Sequence, residues 1–313
     1  MPWIHRSIAM VFSMLPGIAS PAFAEEGRPP VPRRPAAIRT DAVPDIPERV
    51  FEDMRRFQDV KSASFVDWHH RGGLVAASRI GNVSQLHRVV SPGAAPRPIT
   101  DAADPVTSGR CLPDGSLIFS RGSLGDENFQ LFRMSEAGVN PGLLTDGKSR
   151  NLAGPPDREG KRFAFTSTRR NGRDADLYVL DPGKDGESEM LLQVENETWS
   201  LDDWSHDGAR AILSRFVSAS ETYGFLFEIA SRKKSPLPPE HREDDASRPR
   251  KVRRDNLRFG PKSKSVYLTS DARGEHRELA RLDLETGNYA WLTGDLPWDV
   301  EDLDISRDGK LAA

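Results

Sequence analysis

Residues 204–215 read WSHDGARAILSR: a large aromatic residue, a polar turn closed by glycine, and an alternating stretch that ends in Ser-Arg. The same order recurs along the chain. It appears as WHHRGGLVAASR from Trp68, CLPDGSLIFSR from Cys111, PDREGKRFAFTSTR from Pro156, FGPKSKSVYLTSD from Phe259 and ISRDGKLAA from Ile305. The turn positions are Gly72, Gly115, Gly160, Gly208, Ser263 and Gly309, separated by 43 to 55 residues. A period of ~40–50 residues with several strands per unit is the signature of a β-propeller.

The internal order of a unit follows from its periodicities. After the turn, Val75 and Ala77, Phe163 and Phe165, Ala211 and Leu213, and Val266 and Leu268 alternate with other residues. Period-two spacing predicts a strand with one buried face. A polar hairpin follows, and then a third strand reading QLHRVV, QLFRM, DLYVLD, FLFEIA or ELARLDL. Four of the five full units close on a short fourth strand, RPIT, GLLT, EMLLQ or AWLT, whereas the unit at Trp204 ends in SPLPP. The expected fold is therefore all-β, a propeller of four-stranded blades with five blades plus the start of a sixth over residues 48–313. Because the sequence stops at Ala313, within the second strand of that sixth unit, the expectation is an open or incomplete ring. Its exposed strand edges would make it marginally stable or prone to association.

The repeats decide how the isolated motifs are read. GLLTDGKS, residues 142–149, fits the phosphate-binding pattern G-x-x-x-x-G-K-[ST]. That loop needs a helix after it, so that backbone N–H groups can hold the phosphates. Here Leu143-Leu144-Thr145 is a fourth strand, and Gly154, Pro155 and Pro156 forbid a helix. No nucleotide is expected to bind. Cys111, the single cysteine, fills the column held elsewhere by Trp, Phe and Ile, and is read as a small buried hydrophobe. His69 and His70, adjacent in a strand, would point to opposite faces, as would Asp202 and Asp203; neither pair is expected to form a metal or acid–base site. Residues 1–313 contain no G-x-S-x-G and no H-E-x-x-H. No catalytic, cofactor-binding or metal-binding residue is assigned, and no cofactor is expected. Ser-Arg pairs (Ser78-Arg79, Ser120-Arg121, Ser214-Arg215) are read as hairpin-stabilising rather than as a basic rim.

Composition bounds the partners. The net charge is −3, with 37% apolar and 29% charged residues, 25 Gly and 24 Pro. So small a net charge gives no argument for nucleic acid or a membrane surface. The basic run RPRKVRR lies in an insertion at residues 238–256 and reads as a solvated loop. The N-terminus has a positive Arg6, a short apolar run from Ile8 to Ile18 and an A-x-A site at Ala22-Phe23-Ala24. Residues 1–24 read as a secretory signal peptide cleaved near Ala24, the apolar run being too short to span a membrane. The protein is then expected to be exported, periplasmic or secreted, with no stable membrane insertion. Residues 25–47 form a Pro-rich leader. Residues 48–60, ERVFEDMRRFQDV, have helical spacing but suit a strand entering the first repeat equally well. The sequons at Asn82 and Asn196 matter only in a host that glycosylates exported proteins.

With the repeats aligned, RFQDVKSASFVDWHHRGG, GNVSQLHRV, LTDGKSRN, FTSTRRNGRDADLYVLDP and LTGDLPWDVEDLDISRDGK resemble the N-terminal β-propeller of the prolyl oligopeptidase family of serine peptidases. The dipeptidyl-peptidase and acylaminoacyl-peptidase-like members are the most similar. The Asp-Gly turn also resembles that of TolB-type propellers. The resemblance covers residues 55–313. It implies a propeller that precedes an α/β-hydrolase domain and restricts entry to peptides. It carries no catalytic residue onto this sequence, because no position matches the family's catalytic motif. The implied partner is a peptide substrate if the propeller is joined to a hydrolase domain, and otherwise a protein, as for TolB.

Overall fold

The computed structural model describes residues 38–305, except 45, 59–61, 82, 124, 137, 139, 140, 185 and 241–250. The signal-peptide reading, most of the leader, the sequon at Asn82, the turn of the sixth repeat and the start of the basic run lie outside the described residues. The chain divides into two compact units, Met1–Lys61 and Ser62–Ala313. The described part of the first holds one helix, α1 (Glu48–Gln58), so the helical spacing prevails there.

The second unit is five four-stranded antiparallel sheets, each built from consecutive strands. Blade 1 comprises β1 (Ala63–Trp68), β2 (Leu74–Ser78), β3 (Gln85–Val89) and β4 (Arg97–Pro98). Blade 2 comprises β5 (Ser108–Cys111), β6 (Leu117–Arg121), β7 (Gln130–Met134) and β8 (Gly142–Leu143). Blade 3 comprises β9 (Asn151–Pro156), β10 (Phe163–Ser167), β11 (Asp176–Leu180) and β12 (Ser188–Leu192). Blade 4 comprises β13 (Thr198–Trp204), β14 (Arg210–Ser218), β15 (Glu221–Glu228) and β16 (Lys234–Pro236). Blade 5 comprises β17 (Arg254–Phe259), β18 (Ser265–Ser270), β19 (Glu278–Asp283) and β20 (Tyr289–Trp291). The blades form a ring whose first strands border a common central cavity. Beyond blade 5 the chain returns to that cavity: Asn256 Nδ2 donates to the Glu301 carbonyl at 3.1 Å, and Leu303 is buried.

Among the described residues four apolar clusters make the core, and each lies between successive blades. Val75, Ala77 and Leu86 of blade 1 meet Cys111, Leu117 and Phe119 of blade 2. Leu112, Ile118 and Leu131 meet Phe163, Phe165 and Tyr178 of blade 3. Ala164, Leu177 and Val179 meet Trp204, Ala211 and Leu213 of blade 4. Ile212 and Leu237 meet Phe259, Val266 and Leu268 of blade 5. A middle strand therefore serves two interfaces at once, as when Ala211 and Leu213 face blade 3 while Ile212 faces blade 5. The single buried face expected from period-two spacing is thus corrected. All five residues of β10 are buried, because a blade is sandwiched on both sides.

The turn column is uniform. Gly72, Gly115, Gly160, Gly208 and Ser263 each donate a backbone N–H to the carbonyl three residues back, at 2.9–3.0 Å, and each has positive φ. At Ser263 (φ 53°) the serine replaces the glycine that this conformation favours. Its Oγ accepts the His206 N–H of blade 4 at 2.7 Å, a tie that glycine cannot make. The fourth strands are held by side chains as well as by ladders. Thr100, Thr145 and Thr293 Oγ1 accept the N–H of Leu86, Leu131 and Leu279 at 2.8–3.0 Å. Blade 4 also has a fourth strand, since Lys234–Pro236 pairs with β15. The SPLPP ending hid it, and proline is tolerated there because the strand lies at a sheet edge.

Trp204 sits where these contacts converge. It is 2% exposed, its Nε1 donates to the Pro155 carbonyl at 3.0 Å, and the Arg162 guanidinium lies 4.6 Å from its ring centre. Trp204→Ala is expected to lower the unfolding free energy by about 3–5 kcal/mol in urea titration. Trp298→Ala, at a site 74% exposed, is expected to stay within about 0.5 kcal/mol. Equal effects would contradict the interface assigned to Trp204.

Candidate binding site in the central cavity

The central cavity has a volume of about 480 Å³. Its wall includes Phe65–Trp68 of β1, Arg110 of β5, Ala153–Pro156 of β9, Ser200–Trp204 of β13, Arg258 and Phe259 of β17, and Asp302–Ile305. A first strand runs along the cavity in every blade, so the residues before each turn are the ones presented to it.

The position five before the turn reads Asp67, Arg110, Pro155, Asp203, Arg258 and Asp304 around the ring. These residues tie neighbouring blades together. Asp67 Oδ2 accepts the Cys111 N–H of blade 2 at 2.8 Å, and Arg110 reaches back to the Val66 carbonyl at 3.2 Å. Asp203 Oδ2 accepts the Phe259 N–H of blade 5 at 2.7 Å, and Arg258 reaches back to the Asp202 carbonyl at 3.2 Å. The two clasps are the same device, three blades apart. Arg258 Nε also lies 3.8 Å from Asp304. A second tie uses the residue two after the turn: Arg162 donates to the Gly208 carbonyl at 2.8 Å and Arg210 to the Ser263 carbonyl at 3.2 Å. None of these arginines stands out in the sequence. Their signal is a column position, visible only once the units are aligned.

Burial raises the Asp202 carboxyl above its ordinary range, although Ser214 and Ser200 Oγ both donate to it. Burial pushes Asp203 up to about 6, opposed by the Phe259 N–H and by Arg258. Asp202 is therefore a serine-bound carboxyl and Asp203 an inter-blade strut. Next to the cavity, a cleft of about 640 Å³ runs between the turns of blades 3 and 4, and Asp157 and Arg158 line both spaces. His206 lines this cleft, and burial lowers its pKa.

The other candidates fall elsewhere. Cys111 is buried in the interface between blades 1 and 2, as its column implies. The rings of His69 and His70 do not diverge, since their centres lie 4.5 Å apart. Both residues follow the end of β1, so strand alternation does not apply to them, and His70 Nε2 is 3.3 Å from Glu136. The GLLTDGKS stretch is strand β8 and a turn: the Lys148 and Ser149 N–H groups donate to Asp146 Oδ1, and strand β9 follows. Amides bound to a carboxylate are not presented to a phosphate. Of the Ser-Arg arginines, Arg121 lies over Phe132 at 4.3 Å and Arg215 over Tyr223 at 5.0 Å, each stacked on the neighbouring strand. Arg253 and Arg254, which end the basic run, pair with Asp255 and Glu240. Among the described residues no group of three or more His, Cys, Asp or Glu side chains is placed to hold a metal. No helix among them is long and apolar enough to cross a membrane.

The sequence matches no protein-family profile and no curated protein. Solved structures do match. TolB from Acinetobacter baumannii superposes with a TM-score of 0.54 at 17% identity, over 73% of this chain and 53% of that one. A putative TolB from Agrobacterium tumefaciens gives 0.53 at 15%, over 74% and 80%. Prolyl oligopeptidase B from Galerina marginata gives 0.58 at 15%, over 83% and 41%. The fold is the β-propeller of TolB and the prolyl oligopeptidases. This chain spans about half the length of the Acinetobacter TolB (53%) and about two fifths of the oligopeptidase (41%). At these identities the likeness is one of fold.

The raised Asp203 has a pH signature. Its folded-state pKa of about 6 lies above the ordinary 3.8, so the folded state binds the proton more tightly. The stability from this proton is fully present below the ordinary value and is lost as pH rises through about 6. The unfolding free energy of wild type minus that of Asp203→Asn should therefore fall between about pH 4 and pH 7 in urea titrations. A gap that stays constant or widens would contradict the burial assigned to Asp203.

Proposed function

We propose that this chain is the non-catalytic, substrate-gating propeller portion of an exported serine peptidase of the prolyl oligopeptidase family, and that it receives an extended peptide in its central cavity. The observation that carries this reading is the wall of that cavity. First strands of all five blades border it, and Phe65 (46% exposed) and Trp68 (39% exposed) are open on its lining. Large aromatic residues left open on a concave surface are what a peptide-binding site requires. Asp67, Arg110, Asp203 and Arg258 of the lining bond to the neighbouring blade, which suits a gate rather than a catalyst. The segments quoted above, from RFQDVKSASFVDWHHRGG onwards, point to the same family. In this reading residues 1–24 direct export and residues 25–47 form a leader ahead of the propeller.

A second reading is a TolB-like periplasmic propeller that binds a protein partner. The match over 80% of the Agrobacterium protein favours it. Both readings place an incoming polypeptide in the same cavity.

A peptide carrying a photoactivatable benzophenone tests the shared element. Crosslinks mapped by mass spectrometry are expected in residues 65–68, 153–158, 200–204 and 302–305. Crosslinks confined to the outer strands β4, β8, β12, β16 and β20 would refute a central site.

A further inference from the structure

Resting on the peptide-binding reading above, we infer that the segment received beside β1 is extended and apolar, seating an aliphatic side chain on the Phe65–Trp68 pair while one of its backbone carbonyls accepts the Trp68 indole N–H.

The repeat carries this assignment, because blade 4 shows what the same two positions meet when they are covered. Leu201 and Trp204 stand seven and four before their turn, as Phe65 and Trp68 do, and both ladders shift register between the two residues. Leu201 and Trp204 are 4% and 2% exposed, packed with Ala164, Leu177 and Val179 of blade 3. Phe259, in the column of Trp68, is likewise buried, with Ile212 and Leu237 of blade 4. The partners are aliphatic each time and come from the preceding blade. Phe65 and Trp68 are open instead. Among the described residues the apolar clusters join blade 1 to 2, 2 to 3, 3 to 4 and 4 to 5, and none joins blade 5 to blade 1.

The polar contact of the pair follows the same equivalence. Trp204 Nε1 donates to the carbonyl of Pro155, on the first strand of the preceding blade. Among the described residues the Trp68 indole N–H has no acceptor, although Asp304, on the segment bordering the cavity, holds the place of Pro155 in the repeat. An extended segment lying along β1 supplies both missing contacts, a carbonyl for the indole and an aliphatic side chain for the two rings, which meet edge to face with centres 5.3 Å apart. Removing apolar surface from water drives that contact. A polar side chain seated on the rings would give up its water without return, since the one donor of the pair is taken by the backbone.

Fluorescence anisotropy of the full chain with labelled ten-residue peptides tests the inference. One peptide alternates leucine with serine, and the second replaces leucine with glutamine. The leucine peptide is expected to bind more tightly than the glutamine peptide. Its affinity is expected to fall on the order of tenfold in Trp68→Ala, and on the order of threefold in Trp68→Phe, which keeps a ring but no N–H. Trp298→Ala, outside the cavity, is expected to bind as wild type does. Equal or tighter binding of the glutamine peptide would overturn the apolar class and leave the peptide-binding cavity standing. No binding of either peptide would overturn the inference together with the reading on which it rests. A leucine peptide that binds with the same affinity in all the variants would place the apolar segment elsewhere and overturn the site. A chain that runs as a dimer in gel filtration, and as a monomer in Trp68→Ala, would give the aromatic pair to a second copy and overturn the peptide as its occupant.

Discussion

The contact between one blade and the next is the constraint on which the structure depends. A four-stranded antiparallel sheet of five-residue strands cannot bury its own faces, so each blade is stable only as the neighbour of another. The sequence meets this demand by making the second strand apolar on both sides. Phe163 and Phe165 face blade 2 while Ala164 faces blade 4. Apolar faces alone would let neighbouring blades slide. The directional ties at the inner strands, Asp67 to the Cys111 N–H and Asp203 to the Phe259 N–H, set the height of one blade against the next. Arg162 and Arg210 do the same at the turns.

These ties shape the cavity they surround. Of the polar residues on this concave wall, Asp67, Arg110, Asp203 and Arg258 bond to the neighbouring blade. Asp203 has a raised pKa, which in isolation would mark a functional carboxyl. Both of its oxygens accept backbone N–H groups, from Trp204 and Phe259, so the shift reflects the cost of placing a strut inside the ring. Phe65 and Trp68 stay exposed on the lining, 46% and 39% accessible.

The fold was legible in the sequence because a propeller repeats its instructions. Six copies of one turn, each with a large or apolar residue four before it, outweigh the weak signal of any single short strand. The repeats also removed false motifs, since aligning GLLTDGKS with the other fourth strands turned a phosphate loop into an edge strand and a turn. What the sequence concealed depends on neighbours distant in the chain. Period-two spacing in β10 does not reveal that both of its faces are covered. SPLPP does not resemble a strand until β15 supplies its partner. Alternation misplaced His69 and His70, because it ends where β1 ends. Asp67 and Asp203 are ordinary polar residues in sequence, and their role exists only when the next blade presents an unpaired N–H to them.

The central claim is that these clasps hold the ring together around the cavity, and native-state hydrogen exchange at two amides tests it most directly. The Cys111 and Phe259 N–H groups donate to Asp67 and Asp203 of the preceding blade. If the clasps hold the ring, both amides should exchange only through global unfolding, with denaturant dependence matching that of Phe163 and Phe165 in the core. Exchange through local fluctuation, fast and insensitive to denaturant while the core stays protected, would show that the blades are held by apolar packing alone.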